Sequence, residues 1–460
     1  MTKERIGHPP HPFDPARDPV HKRSKQGDSV GGAVVIVGGG YSGAMLAARL
    51  AERGVASALI DRGGDFGRGV AYATLFEGHL LNVRSARMSA VDGDPGHFVR
   101  WLETHRPDHA DPDGFAPRRV FGDYVQHRLA TVDAACPGLI TRITGTVAAI
   151  GTDAVVLEDG RRLKARAVVL ATGNPAPRTA PAGASERVIA DPWAPGALER
   201  IGAEDDVLII GTGLTMVDML LMLEGRGWRG RATALSRRGL MPRAHGPRPD
   251  VPAPLEAGLL EGPLSGRLAL ARTVAGREGW RSLMETLRPL TADAWQAADP
   301  AIRGRIVRHL RPWWDVHRHR IAGSIAGALE RLKADDRLTM TAGRVVAIRP
   351  GAASVSLDWT PRHGPARPAL TADWLIDCSG PGHDPARDGL TGPLLASGRA
   401  RMDALRLGLD LDDQGRVLDA EGRADDRLFV LGPPARAAFW ETIAVPDIRK
   451  RIEAVAAALQ

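Results

Sequence analysis

"VVIVGGGYSG", residues 34 to 43, is the stretch on which the fold turns. Val34, Val35, Ile36 and Val37 are apolar and mostly β-branched, and read as a strand buried in a parallel sheet. The glycines after it open a helix whose first amides have no partner within the helix, and such a start attracts anions. Gly38 suits the tight turn, Gly40 a close backbone approach to a pyrophosphate, and Gly43 close packing of helix on strand. Tyr41 and Ser42 belong to the same helix start and join them as cofactor-binding candidates. The helix is expected over Ala44 to Arg53, stopping at Gly54. The next strand, "ASALID", delivers Asp61 and Arg62; Asp61 lies 23 residues beyond Gly38, where a carboxylate takes the ribose hydroxyls of a dinucleotide. The competing reading is a merely tight β-to-α turn in an ordinary α/β domain.

"VLIIGTGLTMVD", residues 207 to 218, repeats the design. Gly211 and Gly213 are in place, Leu214 and Thr215 open the helix, and Met216 stands where the third glycine or alanine belongs. Helix and strand are therefore expected to pack less closely here, with the helix running from Leu214 to Leu223 and stopping at Gly225. The following strand, "RATALS", ends in Ser236, Arg237 and Arg238 instead of a carboxylate. Guanidinium groups bind a 2'-phosphate bidentately and a carboxylate repels it, so this copy leans towards NADPH over NADH. The alternative leaves both arginines on a solvated strand end.

At 460 residues, 43% hydrophobic and 25% charged, the chain can bury a sizeable core and suits two domains of ordinary size. Its formal charge of +7 rests on arginine, since six of the 61 basic residues are lysine. Three tyrosines and no interleaved aromatic-basic run argue against nucleic-acid binding, and anionic cofactors and substrates account for the excess as well. Residues 1 to 30 are proline-rich, polar and without periodicity, which reads as a disordered tail. They lack the apolar core of a signal peptide, and no run approaches the ~18 apolar residues of a membrane span, so a soluble, cytoplasmic protein is expected. Cys136 and Cys378 have no partner at CxxC spacing, which removes disulfide-reductase chemistry. Cys378, in "WLIDCSGP", reads as a buried apolar residue at a strand end in preference to a nucleophile.

The order of these segments implies an α/β fold with two Rossmann-like dinucleotide-binding domains, the second inserted into the first. The first part of the outer domain is expected over 31–190, including "ARAVVLATGN", a buried strand that ends at Thr172 and Gly173. The inserted domain is expected over 200–380, closing at "ADWLIDCSGP". Within it, the proline-rich "GPRPDVPAPLEAG" opens a run of amphipathic helices at about 247–335. Over 381–460, the strand "RLFVLG" (427 to 432) and a terminal helix from about Pro446 to Leu459 return to the first sheet. Pro446 suits the first helical turn, where its missing amide costs nothing.

The two turns, the strands ending "ATG" and "CSGP", and the returning strand and helix resemble the flavoproteins with two dinucleotide-binding domains, a group that includes flavin monooxygenases. More narrowly, "GRGVAYATLFEGHLLNVRSARMSA" (67 to 90), "RRVFGDYVQHRL" (118 to 129), "GTGLTMVD", "RHLRPWWDVHRHRIA" (308 to 322) and "FWETIAVPDIRKRI" (439 to 452) resemble the YdhS-like FAD/NAD(P)-binding family. Members with known roles include hydroxylating enzymes, among them a flavin-dependent urate hydroxylase type. The resemblance implies FAD in the first domain and NADPH or NADH in the second. It sets Gly38, Gly40 and Gly43 against the FAD pyrophosphate, Asp61 against the adenosine ribose, and backbone near Val147 against the adenine. Gly432 and the start of the terminal helix would lie by the flavin ring, where the helix dipole favours negative charge. Pro433 departs from the broad group, many members of which place an acidic residue there. Gly173 is grouped with the cofactor contacts, and Arg68, Asn82 and Arg84 are either contacts to it or surface hydrogen-bonding groups.

In "RPWWDVHRHR", His317 falls on a different helical face from Arg318 and Arg320, and His317 with His319 makes a poor metal site, so no metal is expected. The helices are read either as a cover over the flavin with one basic face, or as ordinary packing. His245 and His319 are weak catalytic candidates, His245 for its place in the loop after the arginine-bearing strand. With no CxxC, haem site or iron-sulfur cysteines to take electrons from the flavin, O2 is left as the acceptor and a monooxygenase of a small-molecule substrate as the expected class. An NAD(P)H oxidase or reductase with an external acceptor, and a non-catalytic redox sensor, share the same motifs.

Overall fold

The computed structural model describes residues 32–175, 185–380, 382 and 384–460; the tail expected over 1–30 lies outside them. β1 (Val34–Val37) feeds α1 (Tyr41–Glu52), and β2 (Ser57–Asp61) returns parallel to β1 with Val34 opposite Ser57. α1 starts three residues before the expected Ala44, because Gly40 itself is the extended N-cap. Two short helices, α2 (Gly69–Tyr72) and α3 (His97–His105), precede α4 (Arg118–Ala135). β3 (Ile140–Thr144) joins β2. β4 (Val147–Ile150), β5 (Ala154–Leu157) and β6 (Arg162–Lys164) form a separate antiparallel sheet, and β7 (Ala167–Leu170) lies parallel to β1 on its other side. Val34 and Ile36 face a core shared with α1 and α4, while Val35 and Val37 face a second core, which is why four apolar residues stand in a row.

The second unit follows the same plan. β8 (Val188–Ile189), β9 (Val207–Ile210), α5 (Leu214–Gly225) and β10 (Ala232–Ser236) come first; α5 extends through Gly225 instead of stopping before it. Five helices then intervene: α6 (Leu264–Glu278), α7 (Trp280–Leu287), α8 (Thr291–Ala297), α9 (Pro300–Arg305) and α10 (Arg311–Arg318). α11 (Gly323–Ala334) packs Ile325, Leu329 and Leu332 into the core beneath β9 and β10, so the last helix of the 247–335 segment serves the nucleotide unit itself. β11 (Leu338–Pro350), β12 (Val355–Pro361), β13 (Leu370–Ala372) and β14 (Trp374–Asp377) complete a sheet of order β13-β12-β11-β10-β9-β14-β8. β8 pairs with β14, which puts residues 188–189 in the second sheet although the sequence reading set them in the first domain.

The chain then returns through α12 (Thr391–Ala396), β15 (Arg416–Leu418), β16 (Ala424–Val430), α13 (Arg436–Phe439) and α14 (Val445–Ala458). β16 runs parallel to β7 with Leu428 opposite Val168, giving the order β15-β16-β7-β1-β2-β3, and α14 buries Ile448, Ile452 and Val455 in the core of α1. The second unit is thus inserted in the first. In each sheet the chain order reverses beside the glycine-turn strand, leaving a crevice at the carboxyl ends of β1 and β7, and another at β9 and β14.

Candidate functional site

The two turns match bond for bond. The Gly38 amide donates to the Ile60 carbonyl at 2.9 Å and that of Ala171 to Val37 at 2.9 Å; the Gly211 amide donates to Leu235 at 2.8 Å and that of Cys378 to Ile210 at 2.7 Å. Gly38 (φ +109°) and Gly211 (φ +98°) leave no room for a side chain: a Cβ would lie 2.4 Å from the Ala171 carbonyl oxygen in one case and 2.2 Å from that of Cys378 in the other. The N-caps Gly40 and Gly213 offer no side-chain oxygen to α1 or α5, so the first amides of both helices face the crevices uncapped. An anion is the natural cap for such a start.

The differences separate the two copies. Asp61 accepts the Gly39 amide at 3.0 Å and those of Gly63 and Gly64 at 2.8 and 3.1 Å, fixing a carboxylate at the rim of the first crevice; Arg62 beside it is exposed. At the matching place in the second copy the Thr212 and Ser236 hydroxyls meet at 2.8 Å, followed by exposed Arg237 and half-buried Arg238. Gly43 has no space for a Cβ, which would lie 2.0 Å from the Gly38 carbonyl oxygen, whereas the matching place in the second turn holds the side chain of Met216, fully buried in the second core. Leu214 and Thr215 are half-buried in the first turn of α5.

Around the first crevice, Gly432 (φ +78°) at the end of β16 sits on α1: a Cβ there would lie 2.6 Å from the buried Ser42 hydroxyl. Tyr41 is buried against Tyr72 and Phe121, with its phenol pKa raised by burial. Gly40 meets Gly69 of α2 at 3.4 Å from its would-be Cβ, and Gly173 (φ +73°) has open space around it. Val147 is buried at the start of β4, in the antiparallel sheet beyond β3. Arg68 binds Asp123 at 2.6 Å, and Asn82 uses its carbonyl to hold His245 Nε2 at 2.9 Å. Arg84 donates to the carbonyls of Asp113 and, at 2.6 Å, Gly246. Arg84 and His245 therefore tie the two units together. Burial pushes the His245 imidazole down to about 4. His319 is also held below its ordinary pKa by burial, with Nε2 3.9 Å from Glu441.

Of the two readings of the added helices, a free basic face at Arg318 and Arg320 is not what is found. Arg318 pairs with Asp447 at 3.1 Å and Arg320 with Asp250 at 2.7 Å and with Glu285; both guanidinium groups are buried. These helices instead grip the segment after Gly432. Trp295 of α8 stacks on Trp440 at 4.5 Å and donates to the Ala437 carbonyl at 2.8 Å, and Trp314 of α10 donates to Glu441 at 2.6 Å. Trp440 holds φ +59°, a conformation that a bulky residue rarely adopts without surrounding constraint.

A second contact was not assigned from the sequence, although its residues lie in the quoted motifs. Arg118, at the start of α4, grips buried Asp218 of α5 with both guanidinium nitrogens, at 2.9 and 3.0 Å. His79, fully buried, bonds Thr74 through Nδ1 at 2.8 Å and the Asp218 carbonyl through Nε2 at 3.0 Å. The signal available was a carboxylate on the otherwise apolar helix "LTMVDMLLML". Among the described residues, no group of three or more His, Cys, Asp or Glu is placed to hold a metal, and no helix is long and apolar enough to cross a membrane.

Two Rossmann-like units, the second inserted in the first and joined to it by side-chain contacts, give the fold of the two-dinucleotide-domain flavoproteins. Residues 35–175 match the model of a family described as FAD-NAD(P)-binding. The structure is similar to the ornithine N-hydroxylase of Kutzneria sp. 744, at 17% identity and a TM-score of 0.63 over 93% of this chain and 99% of that one. It is similar to the L-lysine 6-monooxygenase of Pseudomonas syringae at 17% identity and TM-score 0.64, over 93% and 99% of the two chains. The FAD-bound cadaverine monooxygenase of Erwinia amylovora gives 14% identity and TM-score 0.66, over 93% and 94%. In sequence, the tRNA uridine 5-carboxymethylaminomethyl modification enzyme of Granulibacter bethesdensis is 31% identical over 158 residues, 30% of this chain; the match spans about a quarter (24%) of that protein.

Proposed function

We propose that this protein is an FAD-dependent, NAD(P)H-oxidising monooxygenase that hydroxylates a small polar or anionic substrate, with NADPH preferred over NADH. The observation that carries the reading is the doubled turn: two uncapped helix starts at strand switch points, with a carboxylate at the ribose place of one and arginines at that of the other. The first crevice fits FAD. The amides of Gly40, Tyr41, Ser42 and Gly43 would meet the pyrophosphate, Asp61 the ribose, the Val147 backbone the adenine, and Gly432 with the start of α14 the ring. Bound FAD supplies the redox chemistry that couples a nicotinamide coenzyme to oxygen. The chain's own part is to bind both nucleotides, to hold the units in register through Arg118, Asp218 and His79, and to keep water out beneath α6 to α10.

The fold likeness to enzymes named for ornithine, lysine and cadaverine supports hydroxylation and adds small amines to the substrates worth offering; the YdhS-like resemblance adds urate-like anions. The test is to purify the protein, measure bound FAD, and screen both substrate sets for stimulated NADPH oxidation with mass analysis for an added oxygen. Stoichiometric FAD and a substrate that gains oxygen are expected. Consumption of NADPH that no substrate stimulates favours the oxidase or reductase reading, and FAD binding with negligible turnover favours a sensor. A folded, colourless protein that cannot be reconstituted with FAD overturns the proposal.

A further inference from the structure

Ser236 stands where a hydroxyl would greet a 2'-phosphate, yet its bonding is already complete. Thr212 has one hydroxyl proton, and its oxygen lies within bonding distance of both the Leu240 carbonyl and the Ser236 hydroxyl. A carbonyl cannot donate, so the Thr212 proton goes to Leu240 and the Ser236 proton to Thr212. The Ser236 oxygen also accepts the Gly239 amide at 3.0 Å. Ser236 therefore shapes the loop, and recognition of a phosphate falls to the cations around it.

Those cations come from more than the strand end. Arg362, just past β12, follows a backbone bond from its amide to the Ala342 carbonyl at 2.9 Å, and its guanidinium reaches the Arg237 carbonyl at 3.4 Å. Among the described residues, none of Arg237, Arg238 and Arg362 forms an ion pair with a carboxylate, whereas the buried Arg318 and Arg320 of the added helices both do. Two strand ends thus bring three arginines without a carboxylate partner to one place, Arg362 reaching the Arg237 backbone itself. On the other side stands Trp313 of α10, 44% exposed, with the Arg238 guanidinium 6.0 Å from its ring centroid. A single exposed tryptophan needs no explanation. This one belongs to a Trp-Trp pair whose other member, Trp314, is tied to Glu441, so the turn of helix presenting it is anchored.

We infer that the adenosine end of NADPH lies in a cradle in which Arg362 joins Arg237 and Arg238 on the 2'-phosphate and Trp313 of the added helices stacks on the adenine. The inference rests on the coenzyme reading above and extends it to two residues outside the nucleotide-binding motif. Phosphate recognition by converging guanidinium groups and base stacking on an exposed aromatic face are separable, because only the first distinguishes NADPH from NADH.

The test is calorimetric titration of the FAD-loaded protein with adenosine 2',5'-bisphosphate and with 5'-AMP. Arg362→Ala is expected to weaken the bisphosphate about tenfold or more while leaving 5'-AMP within about twofold. Trp313→Ala is expected to weaken both ligands by a similar factor of about five or more, and Trp313→Phe to restore part of the loss. Both side chains are exposed, and unchanged melting temperatures will show that the variants fold. An unaltered ratio of the two ligands in Arg362→Ala, or wild-type binding of both in Trp313→Ala, overturns the cradle while leaving the coenzyme reading in place. Failure of the wild-type protein to bind either fragment, NADPH or NADH removes both.

Discussion

Gly43 and Met216 occupy the same place in two copies of one turn, and alanine should destabilise each for the opposite reason, a clash at one and a cavity at the other. A Cβ on Gly43 would collide with the Gly38 carbonyl oxygen at 2.0 Å, so Gly43→Ala must push α1 away from β1, at about 1–3 kcal/mol. Met216 is fully buried, and Met216→Ala leaves a cavity costing about 2–5 kcal/mol. Urea unfolding measures both, and only Gly43→Ala is expected also to weaken FAD retention, since it moves the amides that face the crevice. At the other turn, Arg238→Ala should lose a charge-assisted contact of about 1.5–3 kcal/mol, raising the KM for NADPH roughly 10- to 150-fold and scarcely changing that for NADH. Equal losses for the two coenzymes would leave the NADPH preference without support. His245 sets a pH dependence. Its folded pKa of about 4 lies below the ordinary value near ~6.5, so the unfolded chain binds more protons between those limits. Its stabilising contribution is complete above about pH 6.5 and is lost as pH falls towards about 4. His79 and His319, also lowered by burial, act in the same sense. Stability profiles of the wild type and His245→Asn over that range should therefore converge on the acid side.

At the scale of elements, α4 and α5 meet through one ion pair, and its removal should be felt in both units. Arg118→Ala strands the Asp218 carboxylate in the interior, with an expected loss of about 3–5 kcal/mol, whereas replacing both partners, Arg118→Met with Asp218→Leu, should restore most of it. Thermal melting separates these cases. If the pair also holds the crevices in register, stopped-flow flavin reduction by NADPH should remain slowed in the double variant after stability has recovered. The strands and helices themselves were legible in the sequence, because an apolar run such as Val34 to Val37 and a glycine stop are local signals. Contacts between them were not. His79 and Asp218 stand 139 residues apart, and the carboxylates that neutralise Arg318 and Arg320 lie 129 and 70 residues away, so the sequence alone leaves a free basic face and ordinary packing both open for these helices. The crevice residues divide the same way: the glycines announce themselves by spacing, whereas the Arg68–Asp123 pair and the bond from His245 to the Asn82 backbone carbonyl join residues that no pattern near them connects.

For the whole molecule, the interruption of one nucleotide unit by the other is legible in the order of strands alone, because "RLFVLG" has no partner in the second sheet and returns to the first. What topology could not supply was the fit between the units, made by Arg84 and His245 at one point, Arg118 and Asp218 at another, and the tryptophans of the added helices at a third. The insertion also orders events in time. A ribosome releases β8 to β14 before β16, so the second unit can close while β7 is still the bare edge of an unfinished sheet. Gly432, the last wall of the first crevice, emerges later still. Flavin loading must therefore wait until β16 and Gly432 have been synthesised, well after the second unit, and a chain cut short before β16 would keep a hydrophobic strand edge open to aggregation.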